Sequence, residues 1–141
     1  MAIKLKPKHF GPLQMKTTTP GSYLYSTDSG YKAAAGSSAS EELARPSDLI
    51  MAALASCIGI SLEMAAQQMK IDPGEIDIVV NASKALDLPY RFGSFVAVVG
   101  LEKIEDKKLA ARLLKQAKEI CTVSNTLNAD VSVSLRENEK G

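Results

Sequence analysis

The sequence has few of the residues that build metal sites, disulfide frameworks and base-stacking surfaces. Its 141 residues include one histidine (His9), two cysteines (Cys57 and Cys121), seven aromatic residues and no tryptophan. A single histidine excludes a histidine-rich metal site and a Cys2His2 zinc site, and we expect no metal. Two cysteines are too few for a disulfide-stapled scaffold. Seven aromatic residues are too few for a platform that stacks nucleic-acid bases.

Neither sign of charge is in excess. Seventeen basic and sixteen acidic side chains leave a net charge of +1, whereas a nucleic-acid-binding domain carries a dominant basic footprint. Apolar residues make up 45% of the chain and charged residues 23%, which is ordinary for a globular protein. The length suits one domain with a real hydrophobic core. We therefore expect a single domain over residues 1–141 that binds no nucleic acid.

Long hydrophobic runs are also missing. Residues 1–16 carry four lysines and no apolar stretch of the kind a signal peptide needs. The longest apolar run, Leu49 to Ile60, would span about 18 Å as a helix, which is shorter than the hydrocarbon core of a bilayer. These features predict a cytoplasmic protein that does not insert into a membrane.

Turn-forming residues divide the first 45 residues into short segments. Pro20-Gly21 and Asp28-Ser29-Gly30 separate runs such as Ser22–Ser26 and Tyr31–Ala35. This pattern predicts antiparallel strands joined by hairpins. A loop is predicted at residues 36–38.

The rest of the chain alternates between helical and strand patterns. Pro46 and Asp48 begin a long helix that continues to about Met69, because proline suits the first helical position and an acid suits the positive end of the dipole. The later predicted elements are strands at 75–84 and 92–101, a helix at 106–121, a strand at 131–135 and a polar tail at 136–141. This order predicts an α+β fold with a mainly antiparallel sheet and a central strand at 92–101. Only the last strand–helix–strand segment could give a parallel pair.

Both cysteines are predicted to point inward from helices. Cys57 falls near Leu54 and Ser61, opposite a stripe of small and partly polar residues, so both faces of the long helix suit burial. A chain of this size has few elements to surround such a helix, which favours burial against a second copy. Cys121 lies on the apolar flank of the second helix. The predicted apolar face of that helix consists of Leu109, Leu113, Ala117 and Ile120.

The two thiols are 64 positions apart in the sequence but meet if the two helices pack together, and three interpretations of the pair stay open. One is a structural disulfide, which the reducing cytosol disfavours. Free cysteines are among the most buried residues, so inert core thiols explain the pattern. In a redox interpretation, one thiolate is oxidised to a sulfenic acid and the other thiol condenses with it. Because apolar neighbours raise a thiol pKa and Cys57 is in mid-helix, this interpretation requires a cation from elsewhere in the fold.

The segments around the cysteines resemble the two motifs of the OsmC/Ohr family. Residues 46–57, PSDLIMAALASC, resemble its P-x-(D/E)-L-L-x-A-A-L-x-x-C helix, and residues 121–127, CTVSNTL, resemble its C-P-V-S-x-x-L motif. Residues 89–92 (PYRF), ahead of a strand that ends in Gly100, also fit the OsmC-like pattern. The similarity covers residues 46–135, whereas residues 1–45 share only their strand-rich and turn-rich character.

The resemblance implies an OsmC-like fold in which mainly antiparallel sheets wrap around a long central helix. It also implies an intertwined homodimer with active sites at the subunit interface. By the same resemblance the protein is a thiol-dependent peroxidase that acts on organic hydroperoxides or hydrogen peroxide. Cys57 would be the peroxidatic and Cys121 the resolving cysteine, with a dithiol or lipoyl-type reductant and no metal or organic cofactor.

The chain departs from the Ohr pattern in the acid and the cation that accompany Cys57. Ohr proteins carry a glutamate directly after the helix-opening proline and use it to orient an arginine from the N-terminal region. Here that position is Ser47, and the acid is Asp48. The candidate cations are Lys16, Arg45 and Arg91. The departure supports an alternative, a catalytically weak or inactive OsmC-like dimer that binds a small apolar ligand or a partner at its interface.

Overall fold

The computed structural model describes residues 7–87 and 90–137. These residues fall into two compact units, one ending at Leu49 and the other beginning at Ile50. Pro89 of the family pattern and the end of the predicted tail lie outside the described residues. In chain order the elements are β1 (Leu13–Thr19), β2 (Ser22–Thr27), β3 (Lys32–Gly36), α1 (Pro46–Gln68), β4 (Ile76–Lys84), β5 (Phe92–Leu101), α2 (Lys107–Ile120), α3 (Thr122–Thr126) and β6 (Asp130–Leu135).

The first unit contains an antiparallel sheet in the order β1-β2-β3. Leu13 lies opposite Thr27 in the first hairpin, and Ser22 lies opposite Gly36 in the second. Gly36 is still part of β3, so the predicted loop begins one residue later than expected. A Cβ at Gly36 would lie 2.8 Å from the carbonyl oxygen of Gly21, which explains why glycine is needed there. The predicted antiparallel hairpins are confirmed.

The second unit contains a mixed sheet in the order β4-β5-β6. β4 and β5 are antiparallel, with Ile76 opposite Leu101, and β5 and β6 are parallel, with Ser94 opposite Asp130. The parallel pair comes from the strand–helix–strand segment, as predicted. β5 is central and more buried than its neighbours, because it is covered on both edges by a strand.

One side of α1 packs with β5 and α2 to form the hydrophobic core. Its buried residues recur at intervals of three and four along the helix, as expected for a helix with one buried face. The largest fully buried side chains of the core are Phe95, Leu54, Ile58, Leu62, Leu113, Val99 and Cys121. On the other side of α1, Ile60 is 60% exposed and Met64 is 50% exposed in this chain.

The whole of α1 is long and apolar enough to cross a membrane, judged by length and composition alone. The sequence prediction counted only residues 49–60 and therefore underestimated the apolar length. The core helix of a soluble protein meets the same criterion, and Leu54, Ile58 and Leu62 of α1 are buried inside this fold. The length and composition of α1 are therefore only weak evidence for a location in a membrane.

The apolar face of α2 is rotated from the predicted one. Leu113 and Ala117 are buried as expected, but Ile120 is 41% exposed and Leu109 is only half-buried. The buried positions are Ala110, Leu113, Leu114 and Ala117. The buried face of α2 is therefore centred near Ala110 and Leu114. Leu109 and Ile120, the first and last residues of the predicted face, lie at the edge of the buried face.

Candidate functional site

Cys57 lies in the middle of α1 and is half-buried against the core. Ser61 lies one helical turn further on and is only 4% exposed. Side chains on a helix lean toward its N-terminus, so a residue at i+4 points back to the side chain at i. The helix therefore directs the Ser61 hydroxyl toward the Cys57 sulfur.

Cys121 lies at the junction between α2 and α3 and is fully buried. Its backbone is extended (φ −74°, ψ 106°), so it ends α2 and begins α3. Its Sγ accepts a hydrogen bond from the backbone N–H of Ser124 at 3.5 Å, and its carbonyl accepts one from the N–H of Asn125 at 3.0 Å. Residues 122–125 were predicted as a loop. They are helical instead, because the cysteine sulfur caps the first turn.

The structure brings the two thiols together. Cys57 and Cys121 are both free cysteines. Cys57 packs against the core cluster that contains Cys121, and each thiol influences the pKa of the other. Val123, from α3, packs against the same core as Cys57. The site thus joins the middle of α1 to the α2–α3 junction.

The surroundings of Cys57 favour its ionised form. Burial by itself raises the pKa of the Cys57 thiol. Hydrogen bonds from the backbone of Val123, the side chain of Cys121, the backbone of Thr122 and the side chain of Ser61 outweigh burial, and the pKa is lowered from its ordinary value.

The pKa of the Cys121 thiol is shifted in the opposite direction to that of Cys57. Burial is the largest cause, and the hydrogen bond and charge of Cys57 add to it, so the pKa of the Cys121 thiol is raised. The N–H groups of Ser124 and Val123 oppose the rise without cancelling it. Cys57 therefore ionises before Cys121, which keeps its proton beside the thiolate.

This result corrects the expectation that apolar neighbours raise the pKa of Cys57 and that a cation is needed to lower it. Burial does act in the expected direction, but hydrogen bonds from neutral groups are stronger. Sequence reasoning missed Ser61, Thr122 and Val123 as donors. The i+4 spacing of a serine after Cys57 was the available signal for the first. The other two depend on the helical turn after Cys121, which the sequence does not reveal.

Asp48 is paired with Arg45 at the start of α1. Asp48 Oδ2 accepts from the Arg45 backbone N–H at 2.9 Å and from Nε at 3.1 Å, and Oδ1 accepts from Nη2 at 3.1 Å. Hydrogen bonding to the Arg45 guanidinium lowers the pKa of the Asp48 carboxyl. The pair forms the bidentate arrangement that suits a planar guanidinium.

The other two candidate cations are on strands or strand ends. Lys16 is exposed on β1. Arg91 precedes β5, where its Nη2 lies 3.1 Å from Asp87 Oδ1 and its Nη1 donates to the carbonyl of Asn128 at 3.4 Å. Arg91 thus connects the start of β5 to the segment that precedes β6.

One cavity in the described part of the chain lies away from both cysteines. It has a volume of about 1090 Å³ and is lined by residues from β4, β5, α2 and the end of β6. Asp77 and Arg136 form an ion pair of 2.6 Å at its wall. Within residues 7–87 and 90–137 no three His, Cys, Asp or Glu side chains are placed to hold a metal ion.

The sequence matches the OsmC-like protein family over residues 39–136, a segment that includes both cysteines and more than half of the chain. The chain belongs to the OsmC-like family. The matched segment begins before α1 and ends just after β6, close to the range of residues 46–135 expected from the motifs. No curated protein matches the chain.

Solved structures of OsmC-like and organic hydroperoxide resistance proteins share the fold of this chain. An OsmC-like protein from Mycoplasma pneumoniae has a TM-score of 0.78 at 13% identity, covering 94% of this chain and 100% of that one. An organic hydroperoxide resistance protein OsmC from Legionella pneumophila has a TM-score of 0.74 at 17% identity, with coverage of 94% and 100%. OhrB of Bacillus subtilis has a TM-score of 0.68 at 24% identity, with coverage of 89% and 96%. The predicted α+β, OsmC-like fold is confirmed.

Proposed function

We propose that the protein is a thiol-dependent peroxidase that reduces organic hydroperoxides or hydrogen peroxide in defence against oxidative stress. The observation that carries the proposal is the neighbouring pair of Cys57 and Cys121 in the core, whose pKa values are shifted in opposite directions. Family membership supports it. The structural neighbours from Legionella pneumophila and Bacillus subtilis are named as organic hydroperoxide resistance proteins.

The proposed reaction begins with attack of the Cys57 thiolate on one peroxide oxygen. An S–O bond forms, the O–O bond breaks, and the alkoxide or hydroxide that leaves takes up a proton. Cys57 is now a sulfenic acid. The sulfur of Cys121 then attacks the Cys57 sulfur, an S–S bond forms, and the hydroxyl leaves as water with the proton from Cys121. The two thiols together supply the two electrons that reduce the peroxide.

The cycle closes by thiol–disulfide exchange. A dithiol reductant of the lipoyl type attacks the disulfide, restores both cysteine thiols and becomes a cyclic disulfide itself. This assignment needs no metal or organic cofactor. Cys57 suits the first step because it is half-exposed and ionises first. Cys121 suits the second because it is protonated, buried and adjacent.

Asp48 has a positioning role in this proposal, since its carboxylate holds the Arg45 guanidinium in a bidentate pair. The proposed assembly is a homodimer with its active sites at the interface. The side of α1 that exposes Ile60 and Met64 supports it, because exposed apolar groups on a long helix suit a second copy. A cytoplasmic location is part of the same proposal.

The test is peroxide consumption with dithiothreitol or dihydrolipoamide as reductant. Wild type is expected to turn over, whereas Cys57→Ser consumes peroxide at the background rate. Without reductant, Cys121→Ser is expected to consume one equivalent of peroxide and to accumulate a Cys57 sulfenic acid that dimedone traps. Ser134→Ala, on the exposed side of β6, serves as the control variant. Wild-type consumption no faster than that of Cys57→Ser would refute the proposal.

One observation favours a second candidate, a catalytically weak dimer that binds a small apolar ligand or a partner. The groups that lower the pKa of Cys57 are all neutral, and Ser47 occupies the position of the Ohr glutamate. A thiol titration separates the two candidates. An ordinary thiol ionises at about pH 8.5. A labelling step at or above that value would support the second candidate, and a step well below it would support the peroxidase.

A further inference from the structure

The carbonyl groups at the end of α2 need hydrogen-bond donors from outside the helix. The last four carbonyls of an α-helix have no partner within it, and α2 ends at Ile120. The backbone N–H of Cys121 donates to the carbonyl of Lys118 at 3.4 Å. The carbonyl of Glu119 accepts from the side-chain amide of Asn125 at 3.0 Å. A residue of α3 therefore completes the end of α2.

Asn125 also binds the cysteine that lies between the two helices. Its backbone N–H donates to the carbonyl of Cys121 at 3.0 Å. Asn125 thus holds the chain at two points, through its side chain at Glu119 and through its backbone at Cys121. Because these two acceptors are only two residues apart, the backbone between them has little freedom to rotate.

The polar atoms of Cys121 are all engaged in hydrogen bonds. Its N–H donates to the Lys118 carbonyl and its own carbonyl accepts from Asn125. Its Sγ accepts from the N–H of Ser124 at 3.5 Å, and the side chain is fully buried. The Cys121 sulfur consequently has a defined position relative to the end of α2.

The position of this sulfur matters for the step in which Cys121 attacks the oxidised Cys57. Cys57 packs against the core cluster that contains Cys121, so the attack takes place within one chain. The rate of such a step depends on how well the reacting atoms are aligned before they react. A junction that could rotate between α2 and α3 would leave the Cys121 sulfur aligned with Cys57 for less of the time.

We propose that Asn125 is a positioning residue for Cys121, whose side-chain amide fixes the α2–α3 junction and keeps the Cys121 sulfur aligned with Cys57. The inference rests on the proposed function, because it assigns a residue to the resolving step of that cycle. Asn125 acts through the backbone on either side of Cys121. Its loss should therefore slow the second step and leave the first step unchanged.

Dithiodipyridine separates the two steps without any peroxide. The Cys57 thiolate attacks the disulfide of the reagent, a mixed disulfide forms, and one pyridinethiol leaves. The sulfur of Cys121 then attacks the Cys57 sulfur, the internal disulfide forms, and the second pyridinethiol leaves with the proton of Cys121. With one equivalent of reagent, absorbance should show a first phase that depends on reagent concentration and a second phase that does not.

The decisive variant is Asn125→Ala, and Asn128→Ala is the matched control. Both residues are exposed, and Asn128 lies just after α3. The group of Asn128 that Arg91 binds is its backbone carbonyl, which the control retains. Circular dichroism and thermal unfolding verify that both variants fold.

We expect Asn125→Ala to slow the second phase by about three- to tenfold, which corresponds to the loss of one hydrogen bond, with the first phase unchanged. Asn128→Ala should match the wild type in both phases. A merely structural cap on α2 would lower the thermal stability of Asn125→Ala without changing the second phase, and this result would overturn the inference. A wild type that stops at the mixed disulfide would overturn it as well.

A measurement on the wild type covers the case in which Asn125→Ala does not fold. The side-chain amide protons of Asn125 should exchange with solvent more slowly than those of Asn128, because they are bound to the Glu119 carbonyl. Equal exchange rates contradict the inference. Since neither experiment contains peroxide, the positioning role and the proposed peroxidase activity can each fail alone.

Discussion

Cys57 and Cys121 differ in the backbone that carries them and in their access to solvent. Cys57 is a mid-helix residue with a half-buried side chain, whereas Cys121 lies in extended backbone between two helices and is fully buried. Hydrogen-bond donors surround the first sulfur. The second accepts from Ser124 but also faces the charge that forms on Cys57.

The difference shows how a single chain can shift the pKa values of two identical residues in opposite directions. Burial disfavours the charged form of both thiols, and the number of donors decides which one overcomes it. The donors of Cys57 come from Ser61 on its own helix, from Cys121, and from Thr122 and Val123 on α3. Changes that remove donors from Cys57 or expose Cys121 should therefore reduce the difference in pKa between the two thiols.

The largest expected effect is in the reactivity of the native protein. Cys57 should be alkylated faster than Cys121 by on the order of a hundredfold, because Cys121 is buried and protonated and reacts only after local opening. Peptide-resolved labelling with iodoacetamide at pH 7 measures both rates in one sample. In concentrated urea the two rates should become equal. Faster labelling of Cys121 in the folded protein would reverse the assigned roles.

The second prediction removes one donor from Cys57. Ser61→Ala should slow alkylation of Cys57 at pH 7 by about threefold, because the thiolate loses one hydrogen bond from a buried hydroxyl. Labelling of Cys121 should stay slow. Ser134→Ala is the matched control, since it makes the same chemical change on the exposed face of β6. If both serine variants label like the wild type, Ser61 is not a donor to the thiolate.

Much of the fold could be predicted from local patterns. The strand alternation at residues 75–84, the turn signals before residue 45 and the apolar segment at residues 92–101 each describe a short segment on its own. The single parallel pair followed from the order of the elements. The prediction was wrong where the result depended on packing, as at Ile120 and Leu109, whose exposure is decided by how α2 rotates against the core.

The site was predictable only in part. The helical positions of the cysteines indicated that both thiols point inward, but no local pattern shows that the Cys121 sulfur caps α3. The donors from Thr122 and Val123 depend on that cap. The sequence therefore pointed to a cation, while the fold supplies neutral N–H groups that become donors only when α3 forms.

The third prediction concerns the pH dependence of stability, where the two cysteines act with opposite sign. The pKa of Cys57 is lowered on folding, so its contribution is full above the ordinary thiol pKa of about 8.5 and is lost as pH falls through the folded value. The pKa of Cys121 is raised, so its contribution is full below about 8.5 and is lost as pH rises through the folded value.

Single variants separate these two contributions. Between neutral pH and pH 10, the free energy of unfolding of Cys121→Ser should rise relative to that of Cys57→Ser. The first variant retains only the Cys57 term and the second only the Cys121 term. Urea unfolding at several pH values measures the difference, in which the lysines and tyrosines common to both variants cancel. A difference that falls with pH contradicts the assigned shifts.

The prediction with the smallest expected effect tests whether the difference in labelling between Cys57 and Cys121 is independent of how α1 ends. Lys70 lies two residues after α1 in the left-handed region (φ +59°). Its N–H donates to the carbonyl of Gln67, and the N–H of Ile71 donates to the carbonyl of Ala66. Glycine has no steric penalty in this conformation, so Lys70→Gly should raise the free energy of unfolding by about 0.5–1 kcal/mol.

Lys115→Gly is the matched control, because it makes the same substitution at an exposed position inside α2. There the backbone is an ordinary right-handed helix, and stability should fall by about 1 kcal/mol. Urea unfolding measures both variants, and labelling of Cys57 and Cys121 should be unchanged in Lys70→Gly. If this variant gained stability and also altered the labelling ratio, the ratio would depend on how α1 as a whole opens, and it could no longer be attributed to the donors around Cys57.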